Sequence, residues 1–481
     1  MQFNSYSYIL LLIPVVALFW ALPPSWRRWY VLAVSIAYYA TWNAAFVAVP
    51  LLLCGGVQAA ASALLAAPER ARRAWFRAGI AWVLLLFLFF RYRQFLLDNL
   101  DAALAHFGAA PLTAAFALGV PLGISFYSFE AISYMIDAKQ ARIKESRFSN
   151  LYLFVMFWPH LMAGPIVRFR ELVPQFGFSK RFDLAMLFRG LDRLVWGLLL
   201  KNVFANSLGG WVDEGFLPGV ARANTTLDNW TLAVAFGLQI YFDFAAYSNM
   251  AIGVAQMIGV TLPENFRFPY HAQTPPEFWS RWHMTLSRWI RDYLFFPVNA
   301  RFGAAPGPLY LSLLGIMALV GLWHGAGWGF VLWGVLHGCY LVLYRIWEGV
   351  REKHWPALST SRAAAWAWRI FTLIAVTAAW VPFRAATAGV TAHMLASMFG
   401  RFRFGVSYSV NFYLITALFT LFCAVEPKLS AGWGRLQSAA DAGRLPAPVW
   451  IFLLRPAIYA VGLLFFLMFD DRSMQFIYFQ F

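Results

Sequence analysis

The chain is a series of apolar runs, each long enough to cross a lipid bilayer, separated by short stretches that contain arginine. A helix needs about 20 predominantly apolar residues to span the hydrocarbon core. The runs are continuous and do not alternate apolar with polar residues, so they predict helices and not a β-barrel. With 61% hydrophobic and only 12% charged residues among 481, the composition predicts an all-α polytopic membrane protein.

The basic residues predict the topology. The net charge of +16 comes from clusters that lie between apolar runs, which is typical of cytoplasmic loops and not of a surface that binds nucleic acid. We expect Arg27 and Arg28 to be cytoplasmic, and a second basic loop at residues 70–77 to follow two crossings later. The alternation of apolar runs and basic clusters along the whole chain predicts about 11–12 membrane crossings. Both termini are then expected on the outer side of the membrane.

Two segments depart from simple crossings. Residues 151–167 have basic sequence at both ends and are interrupted at Pro159, so we interpret them as re-entrant or interfacial, leaving open whether they span. Residues 261–306 predict a long cytoplasmic segment at the membrane interface. We find no soluble domain, repeat or linker, so residues 1–481 predict a single membrane-embedded domain.

Within that cytoplasmic segment, EFWSRWHMTLSRWIRDY at residues 277–293 predicts one amphipathic helix. Its apolar face is formed by six residues: Trp279, Trp282, Leu286, Trp289, Ile290 and Tyr293. His283 falls on this buried side, and Ser287 follows it by one turn. A buried histidine at an interface is either hydrogen-bonded for packing or reactive, and the pattern alone leaves both open.

The stretch GLWHGAGWGFVLWGVLHG, residues 321–338, predicts the tip of a helical hairpin. It places His324 in apolar sequence, where a titratable side chain is costly and usually functional. The alternative is a histidine whose hydrogen bonds are satisfied by a nearby carbonyl. Gly325, Gly327 and Gly329 are typical of close helix packing.

The run after Trp230 carries polar residues at helical spacing. Gln239, Asp243 and Tyr247 are four residues apart and share one face, while Asn249 lies on another. We expect this face to line a polar tunnel, or else to join helices by hydrogen bonds.

A neutral imidazole can act as a general base, so His283 and His324 could mark the two ends of one path. His337 lies about 220° round the helix from His324, and we expect it to face elsewhere. The sequence has no phosphate-binding loop or nucleophile elbow, and its three cysteines form no CxxC pair, so we expect no metal site.

Several motifs together resemble the membrane-bound O-acyltransferase family, and within it the bacterial alginate O-acetyltransferase branch. They are LWHG at 322–325, FWSRWHMTLSRWIRDYLFFPV at 278–298, YFDFAAYSNMAIG at 241–253, PENFRFPY at 263–270 and FIYFQF at 476–481. The resemblance implies a ring of transmembrane helices, with re-entrant and interfacial helices, around a central tunnel.

The resemblance also implies the site. His324 matches the active-site histidine of the family, and His283 matches its second histidine. The predicted tunnel residues are Asp243, Tyr247, Asn249, Gln239, Trp323 and Ser287. His324 would take the proton of the acceptor hydroxyl, while His283 would orient or polarise the thioester. No bound cofactor is implied.

The implied function is O-acetylation of an extracellular or periplasmic, alginate-like polysaccharide. Acetyl-CoA or another thioester would supply the acetyl group from the cytoplasm, across the bacterial inner membrane, to a periplasmic partner with a serine-hydrolase-like domain. The alternatives are another acyl transfer on the same fold, such as D-alanyl to teichoic acid or acetyl to peptidoglycan or cellulose. A transporter and a non-catalytic scaffold for polysaccharide secretion are further alternatives.

Overall fold

The computed structural model describes residues 2–108, 119–145, 147–301, 306–356, 361–446, 449–468 and 476–477. Within these ranges every regular element is helical and none is a β-strand, which confirms the all-α prediction. The sequence also predicts an apolar run from about Ala114 to Ile136, and its start lies outside the described residues. The last four residues of the FIYFQF motif lie outside them as well.

The helices of the N-terminal part, to residue 199, are α1 (Tyr6–Ala21), α2 (Pro24–Ala40), α3 (Ala48–Ala66), α4 (Glu69–Arg91), α5 (Arg93–Ala105), α6 (Ile124–Lys139), α7 (Phe148–Met156), α8 (Phe169–Leu172) and α9 (Leu184–Leu199). A π-helical turn, Leu200–Ala205, continues α9 directly. The chain then has α10 (Asn206–Gly215), α11 (Pro218–Ala221) and the 32-residue helix α12 (Thr226–Met257).

The remaining helices are α13 (Pro275–Arg281), α14 (Met284–Ile290), α15 (Phe296–Asn299), α16 (Pro306–His324), α17 (Trp328–His354), α18 (Arg362–Arg384), α19 (Ala388–Phe399), α20 (Val410–Asp441) and α21 (Arg455–Met468). The helix α19 is short and follows α18 after three residues. It begins at the cap residue Thr387, whose side chain accepts a hydrogen bond from the backbone N–H of Val390.

Six helices of the described ranges are long and apolar enough to cross a membrane. They are α3 with the turn before it (Ala44–Ala66), α4, α16, α17, α18 and α20. Shorter apolar helices cover Tyr6–Ala21, Ala388–Phe399 and Arg455–Phe465. The protein is therefore an integral membrane protein, and the number of 11–12 crossings stays a prediction.

The prediction of a basic loop at residues 70–77 was wrong, because these arginines lie in the first turns of α4. The helix begins at Glu69 behind Pro68, so its first turn contains one carboxylate. Proline at a helix start and a carboxylate in the first turn both favour initiation at this point. Arginine side chains can extend from such a helix to the membrane surface, so the charged residues do not end it.

The chain forms two compact units, Met1–Leu194 with Tyr247–Pro263, and Val195–Ala246 with Glu264–Phe481. Each unit is described separately below. The single membrane-embedded domain stays a prediction.

In the first unit, the interrupted segment 151–167 is entirely buried. Its helix α7 ends at Met156 and is followed by turns, which confirms the break near Pro159. His160 in these turns pairs with Glu130 of α6, at 3.0 Å between Nδ1 and Oε1. Protein thus covers the irregular backbone, as an apolar environment requires. The re-entrant path stays a prediction.

In the second unit, glycines bring α16 and α17 into close contact. A Cβ atom at Gly321 would strike the carbonyl oxygen of Phe330, and one at Gly334 would strike that of Met317. A Cβ atom at Gly329 would meet the carbonyl oxygen of Pro382 in α18 at 2.4 Å from its ideal position, so α18 also packs tightly here. Small residues therefore set the three helices close together next to the hairpin tip.

Candidate active site

His324 is the last residue of α16 and is 5% exposed. Its imidazole is surrounded by aromatic rings, with centroid distances of 4.9 Å to Trp323, 5.0 Å to Trp333 and 5.5 Å to Phe383. These rings come from α16, α17 and α18, which the glycine contacts hold together. The hairpin predicted around His324 is confirmed, and it places the imidazole in a largely apolar site.

His337 does not face away from this site, so that prediction was wrong. Its ring lies 4.8 Å from Trp333, the same indole that contacts His324, and 5.2 Å from Trp279. The predicted angle assumed one regular helix, whereas His324 ends α16 and His337 lies in α17. Trp333 and His337 are one turn apart in α17 and share a face, so both lie beside the hairpin tip.

The segment that carries His283 is not one helix, and that prediction was wrong as well. Helix α13 ends at Arg281 and α14 begins at Met284, with His283 between them in the left-handed conformation, φ 41° and ψ 53°. The N–H of Met284 donates to the carbonyl oxygen of Asn265 at 2.8 Å. Asn265 lies 18 residues before His283, so a tertiary contact replaces the helical hydrogen bond.

The prediction of a buried apolar face holds despite this break. All six residues predicted for it are buried: Trp279, Trp282, Leu286, Trp289, Ile290 and Tyr293. The hydroxyl of Ser287 donates to the carbonyl oxygen of Trp282 at 3.3 Å, next to the break. Ser287 therefore stabilises the start of α14, and its role as a tunnel residue stays a prediction.

His283 is fully buried. Its Nδ1 lies 3.0 Å from Oδ1 of Asn265, and its ring packs edge-on against Phe244 at 4.7 Å. Burial, and secondarily the neighbouring His324, lower the pKa of His283 well below its ordinary value. Its Nε2 has no hydrogen-bond partner among the residues that the structure describes. His283 is therefore neutral at pH 7.

Trp323 connects the two predicted catalytic histidines. Its ring centroid lies 4.9 Å from that of His324 and 6.2 Å from that of His283. The structure thus brings together three of the predicted site residues within the second unit. Sequence reasoning missed the residues around them, namely Asn265, Trp333 and Phe383. Asn265 lies in the PENFRFPY motif, which was the one available signal for it.

Asp243 is engaged in a buried ion pair. Its carboxylate accepts from Nζ of Lys201 at 2.7 Å and from the N–H of Ile477 at 2.8 Å. The Nζ atom also lies 4.6 Å from the ring of Phe476. These contacts favour the alternative in which the polar face of α12 joins separate parts of the chain. Gln239 on the same face is buried, and tunnel lining by both residues stays a prediction.

Tyr247 and Asn249 belong to the first unit. Tyr247 stacks on Phe3, with centroids 4.9 Å apart and ring planes at 12°. Oδ1 of Asn249 accepts from the guanidinium of Arg193 at 2.7 Å. These contacts describe helix packing, and a tunnel role for either residue stays a prediction.

The chemistry available in the second unit is that of two buried imidazoles, His283 and His324, among aromatic rings. Within the described ranges, no group of three or more His, Cys, Asp or Glu residues has the arrangement of a metal site. A neutral imidazole accepts a proton readily near pH 7. The arrangement therefore suits deprotonation of a hydroxyl that attacks an acyl group.

Comparison with known proteins agrees with this chemistry. The model of MBOAT, the membrane-bound O-acyltransferase family, matches residues 73–383. The chain is 36% identical to the probable alginate O-acetylase AlgI of Azotobacter vinelandii, over 83% of this chain and 78% of that one.

Two other relatives differ in the acyl group or acceptor that their names give. The peptidoglycan O-acetyltransferase of Helicobacter pylori is 32% identical, over 78% of this chain and 74% of its own. The teichoic acid D-alanyltransferase of Bacillus subtilis is 28% identical, over 48% and 61% respectively. The chain belongs to the membrane-bound O-acyltransferase family and is an acyltransferase.

Proposed function

We propose that this acyltransferase moves acetyl groups from acetyl-CoA in the cytoplasm across the bacterial inner membrane to an alginate-like polysaccharide, through a periplasmic partner with a serine-hydrolase-like domain. The observation that carries the proposal is the cluster of His283, Trp323 and His324, in which one indole contacts two buried imidazoles. The acetyl group is favoured over D-alanine because the relatives named as O-acetyl enzymes match more of the chain.

In the proposed reaction, His324 removes the proton of the acceptor hydroxyl as that oxygen attacks the thioester carbonyl. The tetrahedral intermediate then expels the thiolate by breaking the C–S bond. The imidazolium of His324 returns its proton to the thiolate, so the charge balance is restored. The aromatic walls around His324 exclude water, which would otherwise hydrolyse the thioester.

The donor and His324 are tested together by adding labelled acetyl-CoA to inverted membrane vesicles that contain the protein and its polysaccharide system. We expect label in the polysaccharide with the wild type, and a loss of about a thousandfold with His324→Ala, which is within the range for a general base. His354→Ala is the matched control, because His354 is an exposed histidine at the far end of α17.

The outcomes separate the alternatives. Full acetylation by a normally inserted His324→Ala variant would exclude a catalytic role and favour a transporter or a scaffold. If the wild type transfers no label from acetyl-CoA but does transfer an acyl group from a charged carrier protein, the acetyl-CoA proposal is wrong. If the labelled acetyl group appears in peptidoglycan or cellulose, the alginate-like acceptor is wrong.

A further inference from the structure

Asn265 presents one oxygen atom to three surrounding groups. Its Oδ1 lies 3.0 Å from Nδ1 of His283, 2.8 Å from the hydroxyl of Thr285 and 3.3 Å from the backbone N–H of Thr285. The Asn265 side chain is fully buried. A backbone N–H can only donate, so the atom that it faces must be the amide oxygen and not the amide nitrogen.

This orientation determines the tautomer of His283. An amide oxygen only accepts, so the nitrogen facing it, Nδ1, must carry a hydrogen atom. A neutral imidazole has a single N–H, and Nε2 therefore holds a lone pair. Nε2 is buried and has no hydrogen-bond partner among the described residues, which leaves this lone pair available.

The backbone of Asn265 holds the same histidine from a second direction. Its carbonyl oxygen accepts from the N–H of Met284, the residue that follows His283. The left-handed conformation of His283 is unfavourable for a residue other than glycine. A strained backbone that is held by both groups of one buried residue points to a positioning role.

We propose that Asn265 is a positioning residue that holds His283 as the Nδ1–H tautomer, so that His283 meets the acyl donor with an acceptor nitrogen. This inference rests on the proposed function. Of the two roles considered for His283, it selects orientation of the donor through Nε2. It excludes polarisation of the thioester carbonyl, because that would require Nε2 to donate a hydrogen bond.

The two roles predict opposite dependence on pH. As an acceptor, His283 works neutral, and activity falls when it is protonated at low pH. As a donor at Nε2 it would work as the imidazolium, and activity would fall at high pH. The titratable neighbour that acts on it is His324 of α16. The contacting rings of Phe244, Phe266 and Trp323 are uncharged, as are Asn265 and Thr285.

The test is Asn265→Asp, which keeps an acceptor at Nδ1 but adds a negative charge that stabilises the imidazolium. We expect the acid limb of the kcat–pH profile to move upward by about one pH unit or more. Asn265→Ala, which leaves the tautomer free, should lower kcat by about a hundredfold, because loss of an imidazole-orienting group can cost up to about 10⁴ elsewhere. An unshifted acid limb, or activity extended to higher pH in Asn265→Asp, overturns the proposal.

Thr285→Val is the matched control, because it removes a hydrogen bond to the same Asn265 oxygen but leaves the contact with Nδ1 of His283. We expect its pH profile to match the wild type. If it reproduces the effects of both Asn265 variants, simple loss of packing explains them and the positioning role is wrong.

A spectroscopic measurement on the wild type remains decisive if an Asn265 variant does not insert. In protein labelled with ¹⁵N-histidine, the signals absent from His283→Asn are those of His283. We expect a protonated Nδ1 and an unprotonated Nε2. A protonated Nε2 at neutral pH would refute the proposal.

Failure of this inference can be told apart from failure of the proposed function. If His283→Asn retains wild-type transfer, the role of His283 itself is wrong, whatever Asn265 does. If His283→Asn is inactive while Asn265→Ala is fully active with an unchanged pH profile, only the positioning role is wrong.

Discussion

The two units each bury a histidine against one polar partner at the same distance, and the partners differ in charge. In the first unit, Nδ1 of His160 lies 3.0 Å from the carboxylate of Glu130, with both side chains no more than 2% exposed. In the second unit, Nδ1 of His283 lies 3.0 Å from the neutral amide of Asn265. A carboxylate stabilises an imidazolium, whereas an amide oxygen stabilises an N–H without adding charge.

The charge of the partner therefore favours one protonation state of a buried histidine over another. His160 joins the irregular segment after α7 to α6, and its pair with Glu130 is a structural contact. His283 is neutral among aromatic rings, and the proposed tautomer gives it a lone pair at Nε2. Under the proposed function, equal burial and equal distance give a structural pair in one unit and a reactive group in the other.

The largest expected effect is on catalysis. His283→Ala should lower acyl transfer by about a hundredfold or more, because the donor loses a group that orients it. His160→Gln should leave transfer per inserted molecule close to the wild type, because His160 is assigned a structural role. The measurement is label transfer from acetyl-CoA, normalised to the amount of inserted protein. An equal loss in His160→Gln would break the comparison, since both histidines would then act in catalysis.

A smaller effect is expected on stability in the first unit. Glu130→Ala leaves His160 buried without its partner, and breaking such a pair costs about 3–5 kcal/mol. The thermal midpoint in detergent should fall clearly. The double variant Glu130→Leu/His160→Leu should recover part of the loss, since no polar group is then left unpaired. An unchanged midpoint for Glu130→Ala would show that the pair contributes nothing.

The smallest effect is the pH dependence of stability from His283. Its pKa is lowered in the folded state, so the unfolded state binds the proton first as pH falls. Protonation of His283 then leaves the free energy of unfolding unchanged above about pH 6.5. Below that pH it lowers the free energy of unfolding by up to about 1.4 kcal/mol per pH unit. His283→Asn, which tolerates the left-handed backbone, should lose less between pH 6.5 and 5. Equal slopes would contradict a neutral buried His283.

Some features of the two regions could be predicted from the spacing of residues in the sequence, and others could not. Helical periodicity identified the buried side of residues 277–293 and the hairpin around His324, because both depend on local spacing and hydrophobicity. It did not identify the break at His283, which depends on hydrogen bonds from Asn265, or the contact of His337 with Trp333. The arginines of α4 were placed in a loop because charge was taken to end a membrane helix.

The amino-acid sequence by itself determined the all-helical membrane class, the family and the two candidate catalytic histidines, since these follow from apolar length and from local motifs. Only the tertiary structure decided that Asp243 pairs with Lys201, that Trp323 contacts both imidazoles, and that Oδ1 of Asn265 lies next to Nδ1 of His283. These contacts join residues that lie far apart in the chain. Their geometry is set by the packing of whole helices, which no local pattern records.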